Sequence, residues 1–175
     1  MAIKLIYETH SITVDNEAGI ATGWLPGELS EAGRVEAARL GERRRSGVDV
    51  VYSSDLRRAV QTARIAFPGR EIRLDARLRE CDYGLGNGRP VAELAPLRRA
   101  HIRQPWPEGQ SYEQVVAATE EFLGELRAQW EGRTVLVVSH SANRWALQHL
   151  LEGAPLEELV DAPFAWQPGW EYTLS

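Results

Sequence analysis

Two apolar runs, each ending at a histidine followed by a serine, restrict this chain more than anything else in it. Residues 3–10 read Ile3-Lys4-Leu5-Ile6-Tyr7-Glu8-Thr9-His10, and residues 134–140 read Thr134-Val135-Leu136-Val137-Val138-Ser139-His140. Both have strand length and β-rich composition. Set side by side in a parallel sheet, they bring two imidazoles to the edge beyond the strands' carboxyl ends, where open α/β sheets bind ligands.

The intervening pattern supports such a sheet. Residues 11–29 lack sustained periodicity and hold Asp15-Asn16, Gly19, Gly23 and Pro26-Gly27, which predicts a long loop. Ser30 is placed to cap a helix over about 31–46, and Asp49 to Ser53 reads as a second strand. Ser54 or Asp55 can cap the next helix, with Leu56, Ala59, Val60, Ala63 and Phe67 at helical spacing. A weak strand over 72–74, a glycine-containing loop over 75–90 and a short helix around 91–102 follow. Val115, Ala118, Phe122, Leu126 and Trp130 form an amphipathic stripe over 111–130. Ser141 is placed to cap a last long helix to about 151, before a proline-bearing tail and an edge strand at 170–174. Strands alternating with helices predict a three-layer α/β/α sandwich on a mainly parallel sheet, in one domain spanning 1–175.

Composition removes several classes of function. A formal charge of -5 is a poor match for broad nucleic-acid binding, which needs a basic footprint. Cys81 is the single cysteine, so neither an internal disulfide nor a multi-cysteine zinc cage can form. The apolar run at the amino end meets Glu8 too soon for a signal-peptide core or a membrane span. The expectation is a cytoplasmic protein without nucleic-acid or membrane partners; whether it forms a homodimer stays open.

Four residues carry chemistry. His10 and His140 end strands, Arg58 lies in the first turn of the helix after the second strand, and Glu80 sits in the loop after the third. Phosphoryl transfer needs a nucleophile, charge neutralisation around the moving group and a proton for the leaving oxygen. An imidazole, a guanidinium fork matched to phosphate oxygens and a carboxyl group meet those needs.

The residues then resemble a known family. Thr9-His10-Ser11-Ile12-Thr13-Val14-Asp15-Asn16 resembles the Arg-His-Gly-Glu-Thr-x-x-Asn signature of the histidine phosphatase (phosphoglycerate mutase-like) superfamily. The likeness continues through Gly23-Trp24, Leu29-Ser30-Glu31-Ala32-Gly33, Tyr52 to Ala63, Leu78-Arg79-Glu80, Pro107 to Ser111 and Val137 to Ser141. It covers roughly residues 3–150 in the family's order. The resemblance implies a phosphoglycerate mutase-like fold, His10 as the phosphorylated nucleophile, Arg58 and His140 as phosphate contacts, and Glu80 as proton donor and later base. Asn16 and Thr22 match loop positions that touch phosphate or substrate, and Thr9, Ser11 and Ser141 stand at signature positions of the same binding set. No metal and no cofactor is implied, and the partner is a small phosphorylated metabolite.

The departures are specific. Thr9 replaces the first signature arginine, Ser11 and Ser141 replace glycines, and Glu8 adds a negative charge beside the nucleophile. Losing one charge-assisted contact costs about 2–4 kcal/mol of transition-state stabilisation unless another cation compensates. Three activities are therefore compatible with the sequence: a phosphomonoesterase, a phosphoglycerate mutase-type phosphotransferase, and a pseudo-phosphatase that binds an anion without turnover. The short segment between Glu80 and Pro107 leaves little material for a closing lid, which favours the phosphatase.

Overall fold

The alternation of apolar runs and amphipathic stretches builds five strands: β1 (Ile3–Thr9), β2 (Val50–Ser54), β3 (Ile72–Asp75), β4 (Thr134–Ser139) and β5 (Trp170–Leu174). The computed structural model describes residues 1–175. Strand order is β3-β2-β4-β1-β5; β5 alone runs antiparallel, on the edge beside β1. Because the central strands are buried on both faces, they read as continuous apolar runs and not as alternating ones.

Seven helices surround the sheet: α1 (Val14–Ala18), α2 (Glu31–Arg44), α3 (Arg57–Ala66), α4 (Val91–Leu94), α5 (Tyr112–Gln129), α6 (Ser141–Glu152) and α7 (Leu156–Asp161). Ile6, Val51, Leu136 and Val138 face α2 and α3, packing with Leu40, Ala59, Ala63 and Phe67. Leu5, Tyr7, Val135 and Val137 face the opposite way, onto Phe122, Leu123 and Leu126 of α5 and Leu147 of α6. The layers are the α/β/α arrangement expected. A further cluster, including Tyr83, Leu94, Trp106, Tyr112, Trp145 and Leu156, fills the space beneath the excursion from residue 81 to 115. No helix is long and apolar enough to cross a membrane.

Local chemistry corrects several sequence expectations. The 11–29 loop contains α1, whose start is a reciprocal cap: Thr13 Oγ1 accepts the Asn16 N–H, and Asn16 Oδ1 accepts the Thr13 N–H. Leu56, not Ser54 or Asp55, is the N-cap of α3, and His140 occupies that position for α6. The tail forms α7, with Pro155 at its N-cap position, where a missing N–H costs nothing. Glu8 is 1% exposed and points away from the nucleophile's pocket, ion-paired at 3.0 Å to both Arg43 and Arg44. The arginine run at the end of α2 is thus spent on a buried carboxylate.

The turn after β1 is clamped against α2. Ser11 Oγ donates to Gly33 O at 2.5 Å, and Ser30 N–H donates to Ile12 O. A Cβ on Gly33 would lie 1.9 Å from Ile12 O, so only glycine lets the turn lie this close. Gly33→Ala should destabilise the fold by about 1–3 kcal/mol despite its better helix propensity, because the obstruction is backbone. The urea midpoint checks this; an unchanged midpoint would mean that α2 can shift without cost.

Candidate active site

Parallel pairing of β1 with β4 places Thr9 opposite Ser139, so the residues that follow, His10 and His140, leave the sheet together. Their ring centroids are 5.0 Å apart. The His10 N–H continues the ladder to Ser139 O at 2.9 Å, and the ring Nδ1 meets Ser11 O at 2.8 Å. A carbonyl can only accept, so Nδ1 carries the proton and Nε2 presents its lone pair. Burial pushes the His10 ring down to about 3, helped by the Arg58 charge and opposed by the bond to Ser11. At neutral pH this imidazole is uncharged.

Arg58 is 3% exposed, yet no carboxylate holds it. Its Nη2 donates to Gly23 O at 2.8 Å and its Nη1 to Leu25 O at 3.3 Å, so the 19–29 loop wraps the guanidinium and leaves its other N–H groups free. A buried charge without a counter-ion is unfavourable. Its presence here is the electrostatic sign of an anion site.

Glu80 has the complementary environment. The bland alternative for it, pairing with Arg77 or Arg79, does not occur. Arg77 binds Asp75 and Glu125, and Arg79 binds Asp55 through two contacts of 2.7 Å. Glu80 is left buried, with Oε1 accepting the Cys81 N–H at 2.8 Å. Burial raises its carboxyl above the usual range; the Cys81 N–H, Arg58, Arg98 and the Ala142 N–H pull the other way. Trp24 Nε1 donates to Glu80 O at 2.7 Å, which puts Trp24 on the site wall. Trp106 instead lies in the cluster beneath the excursion, stacked on His101.

His140 is fully buried, and its ring is held well below the ordinary histidine range by burial first, then by Arg58 and His10. Its Nε2 lies 2.8 Å from Ser54 Oγ, which already accepts the Leu56 N–H at 3.2 Å. The Ser54 hydroxyl fixes the position of the His140 ring through this contact. The other ring nitrogen, Nδ1, is buried without a partner. An unpartnered buried nitrogen beside a buried guanidinium is an open polar position in the site.

The strand end and the Glu80 segment are stitched together by residues that sequence reasoning missed. Ser139 Oγ donates to Leu78 O at 2.7 Å and also contacts Asn143 Oδ1. Asn143 Nδ2 donates to Arg79 O at 3.0 Å, and its Oδ1 accepts the His140 N–H at 3.1 Å. The last of these has a sequence signal, an amide three residues after an N-cap. Ser54 has none beyond its place in the Tyr52-Ser53-Ser54-Asp55 stretch.

The remaining expected contacts are placed differently. Ser11 spends its hydroxyl on Gly33 O and its N–H on Thr62 Oγ1, so it braces the turn and has no group left for phosphate. Asn16 is exposed and its carbonyl oxygen is taken by the Thr13 N–H, outside the four-residue cluster. Thr9 Oγ1 contacts Tyr7 Oη at 3.2 Å. Thr22 is buried, bonded to Asp15, with its methyl group across Gly27 from the Arg58 side chain. Ser141 opens α6, whose Ala142 N–H reaches Glu80.

Comparison with known proteins gives the family of the chain. The model of the histidine phosphatase superfamily (branch 1) matches residues 9–166. Phosphoserine phosphatase 1 of Hydrogenobacter thermophilus is 31% identical over 168 residues, covering 89% of this chain and 79% of that one. The 2,3-bisphosphoglycerate-dependent phosphoglycerate mutase of Bartonella bacilliformis is 29% identical, covering 91% of this chain and 86% of that protein. A mycobacterial glucosyl-3-phosphoglycerate phosphatase, solved with VO3, superposes with a TM-score of 0.76 at 31% identity, over 90% of this chain and 85% of the other. With the fold, the paired histidines and these relatives in agreement, the chain belongs to the histidine phosphatase superfamily and is a phosphoryl-transfer enzyme of phosphoglycerate mutase-like fold.

Proposed function

We propose that the protein is a metal-independent phosphomonoesterase that hydrolyses a small phosphorylated metabolite through a phosphohistidine on His10. The observation that carries this reading is the pairing of the two neutral rings, 5.0 Å apart, beside a buried guanidinium with no carboxylate partner. In the first step His10 Nε2 attacks phosphorus and the P–O ester bond breaks. Glu80, held toward its protonated form, gives its proton to the departing oxygen. Arg58, the His140 ring and the first-turn N–H groups of α6 neutralise charge on the phosphoryl oxygens. In the second step the Glu80 carboxylate takes a proton from water, the water oxygen attacks phosphorus, the P–N bond breaks and phosphate leaves.

The mutase reading, supported by relatives that carry that name, requires water to be kept from the phosphohistidine. The segment that would have to close is tied down elsewhere. The 3₁₀ stretch Ala95–His101 packs on α7, Arg99 pairs with Asp161, and Arg98 lies over the Trp145 ring at 5.6 Å. That anchoring favours hydrolysis.

The test is a panel of phosphorylated metabolites assayed for phosphate release, with quenching in alkaline detergent to trap an acid-labile phosphoenzyme. Phosphate release from at least one ester class, with trapped label, is expected. No release from any class above the rate without protein would overturn the reading. Ser54 supplies a finer check. Ser54→Ala removes the partner of a fully buried ring nitrogen, so a stability loss of about 1–3 kcal/mol is expected. A fall in kcat/KM of roughly tenfold should accompany it as the two tautomers become mixed. Ser54→Thr should restore both, and ring-nitrogen NMR reports the tautomer directly.

A further inference from the structure

Arg144 is a cation without a counter-ion. It lies in the first turn of α6, where the helix dipole disfavours positive charge, and its backbone N–H bonds His140 O at 3.1 Å. Its guanidinium sits 4.8 Å from the centre of the Trp170 ring and 5.9 Å from that of Phe164, stacked on aromatic faces in place of a carboxylate. Its Nε is buried with no hydrogen-bond partner. Trp170 in turn meets Tyr7 edge-on at 5.5 Å, and Tyr7 Oη contacts Thr9 Oγ1 at 3.2 Å. A contact chain therefore runs from the guanidinium through Trp170 and Tyr7 to the residue before His10. The Tyr7 hydroxyl, raised chiefly by burial, also responds to Arg144 and Glu80 with opposite sign.

Thr9 is the position at which the sequence lacks a cation, and Arg144, on the neighbouring helix, is linked to it by contact through Trp170 and Tyr7. Neither ion pairing nor helix stability accounts for it there. We propose that Arg144 binds an oxyanion of the substrate at the Thr9 side of the site, opposite Arg58. Two sources share that chemistry: the phosphoryl group being transferred, and a carboxylate on the part of the ester that leaves. This assignment rests on the phosphoester reading of the site.

The test uses the full chain and three probes: inorganic phosphate by calorimetric titration, phosphoserine as an ester with a carboxylate, and p-nitrophenyl phosphate as one without. In Arg144→Gln, weakening of phosphate affinity and of kcat/KM for both esters by about tenfold or more supports the phosphoryl source. A KM for phosphoserine raised by about tenfold, with phosphate affinity and the aryl ester unchanged, supports the carboxylate source. All three within twofold of wild type would overturn the assignment. No acid is left unpaired and a charge leaves the first turn, which offsets the lost stacking on Trp170 and Phe164, so Tm should change little, and Arg144→Lys should recover part of the lost affinity. Losses that come with a lowered Tm and are not recovered by lysine would overturn it as well, since they mark a packing role. If wild type hydrolyses no ester, the functional reading fails, while the phosphate titration still decides whether Arg144 binds an anion.

Discussion

His10→Ala should reduce ester turnover by roughly 10⁴-fold or more and abolish acid-labile labelling, while phosphate still binds. The reason is a division of labour within the site: Arg58, His140 and the α6 N-terminus are separate from the nucleophile, so removing one imidazole leaves the anion cradle in place. Retained turnover in this variant would sink the covalent route.

The same substitution carries a pH consequence. The folded His10 ring titrates near 3 instead of at the ordinary histidine value of 6.5. Between those values the unfolded chain binds a proton that the folded chain does not, so stability falls as pH drops from about 6.5 toward 3. His140, also lowered, adds to the slope. Removing the His10 ring should therefore flatten the acid side of the stability curve, visible as a smaller loss of Tm between neutral pH and pH 4. For activity, the low value means that protonation of the nucleophile does not limit the rate at mildly acidic pH.

How much of this was legible in the sequence depended on whether position along the chain fixes position in space. His10, His140 and Arg58 sit at strand ends or in a first helical turn, and the parallel topology alone carries those points to one edge. Glu80 follows because its loop leaves the same edge, yet its freedom from Arg77 and Arg79 could not be read locally. That freedom comes from Asp75, Glu125 and Asp55, two of them distant in sequence. Glu8 illustrates the converse. Its charge looked like an obstacle to a phosphate site, but its side chain lies on the Ile6 face of the sheet, where the end of α2 neutralises it. Ser11 and Asn16 were expected at the ligand because they stand at signature positions of the family that they resemble. Short polar side chains, however, satisfy local backbone first, in a turn clamp and a helix cap. The small helices α1 and α7 escaped because one or two turns carry too little periodicity, although the Thr13-x-x-Asn16 cap was visible. Ser54 and Arg144 meet partners far away in sequence, which no spacing rule reaches, and Asn143, whose cap on the His140 N–H is legible three residues on, also reaches Arg79 O from another segment.

Glu80→Gln should separate the two chemical steps. The carboxyl is raised above the usual range mainly by burial, which favours the protonated form that can donate to a leaving oxygen. An alkyl phosphate, whose alkoxide leaves poorly, depends on that proton, and its kcat should fall by about 10²–10⁴-fold. An aryl phosphate has a leaving group that departs with little help, so phosphorylation of His10 should survive the substitution better. Hydrolysis of the phosphohistidine still lacks its base, so the variant should release one equivalent of phenolate in a burst and then stall as a labelled enzyme. The sign of the pH dependence follows from the same group. Wild-type kcat/KM for alkyl esters should fall on the alkaline side, as the acid loses its proton, and Glu80→Gln should remove that limb. Equal losses for alkyl and aryl esters, with no accumulated phosphoenzyme, would instead assign Glu80 to holding Arg58 in place through charge, and the proton donor would have to be sought elsewhere in the site.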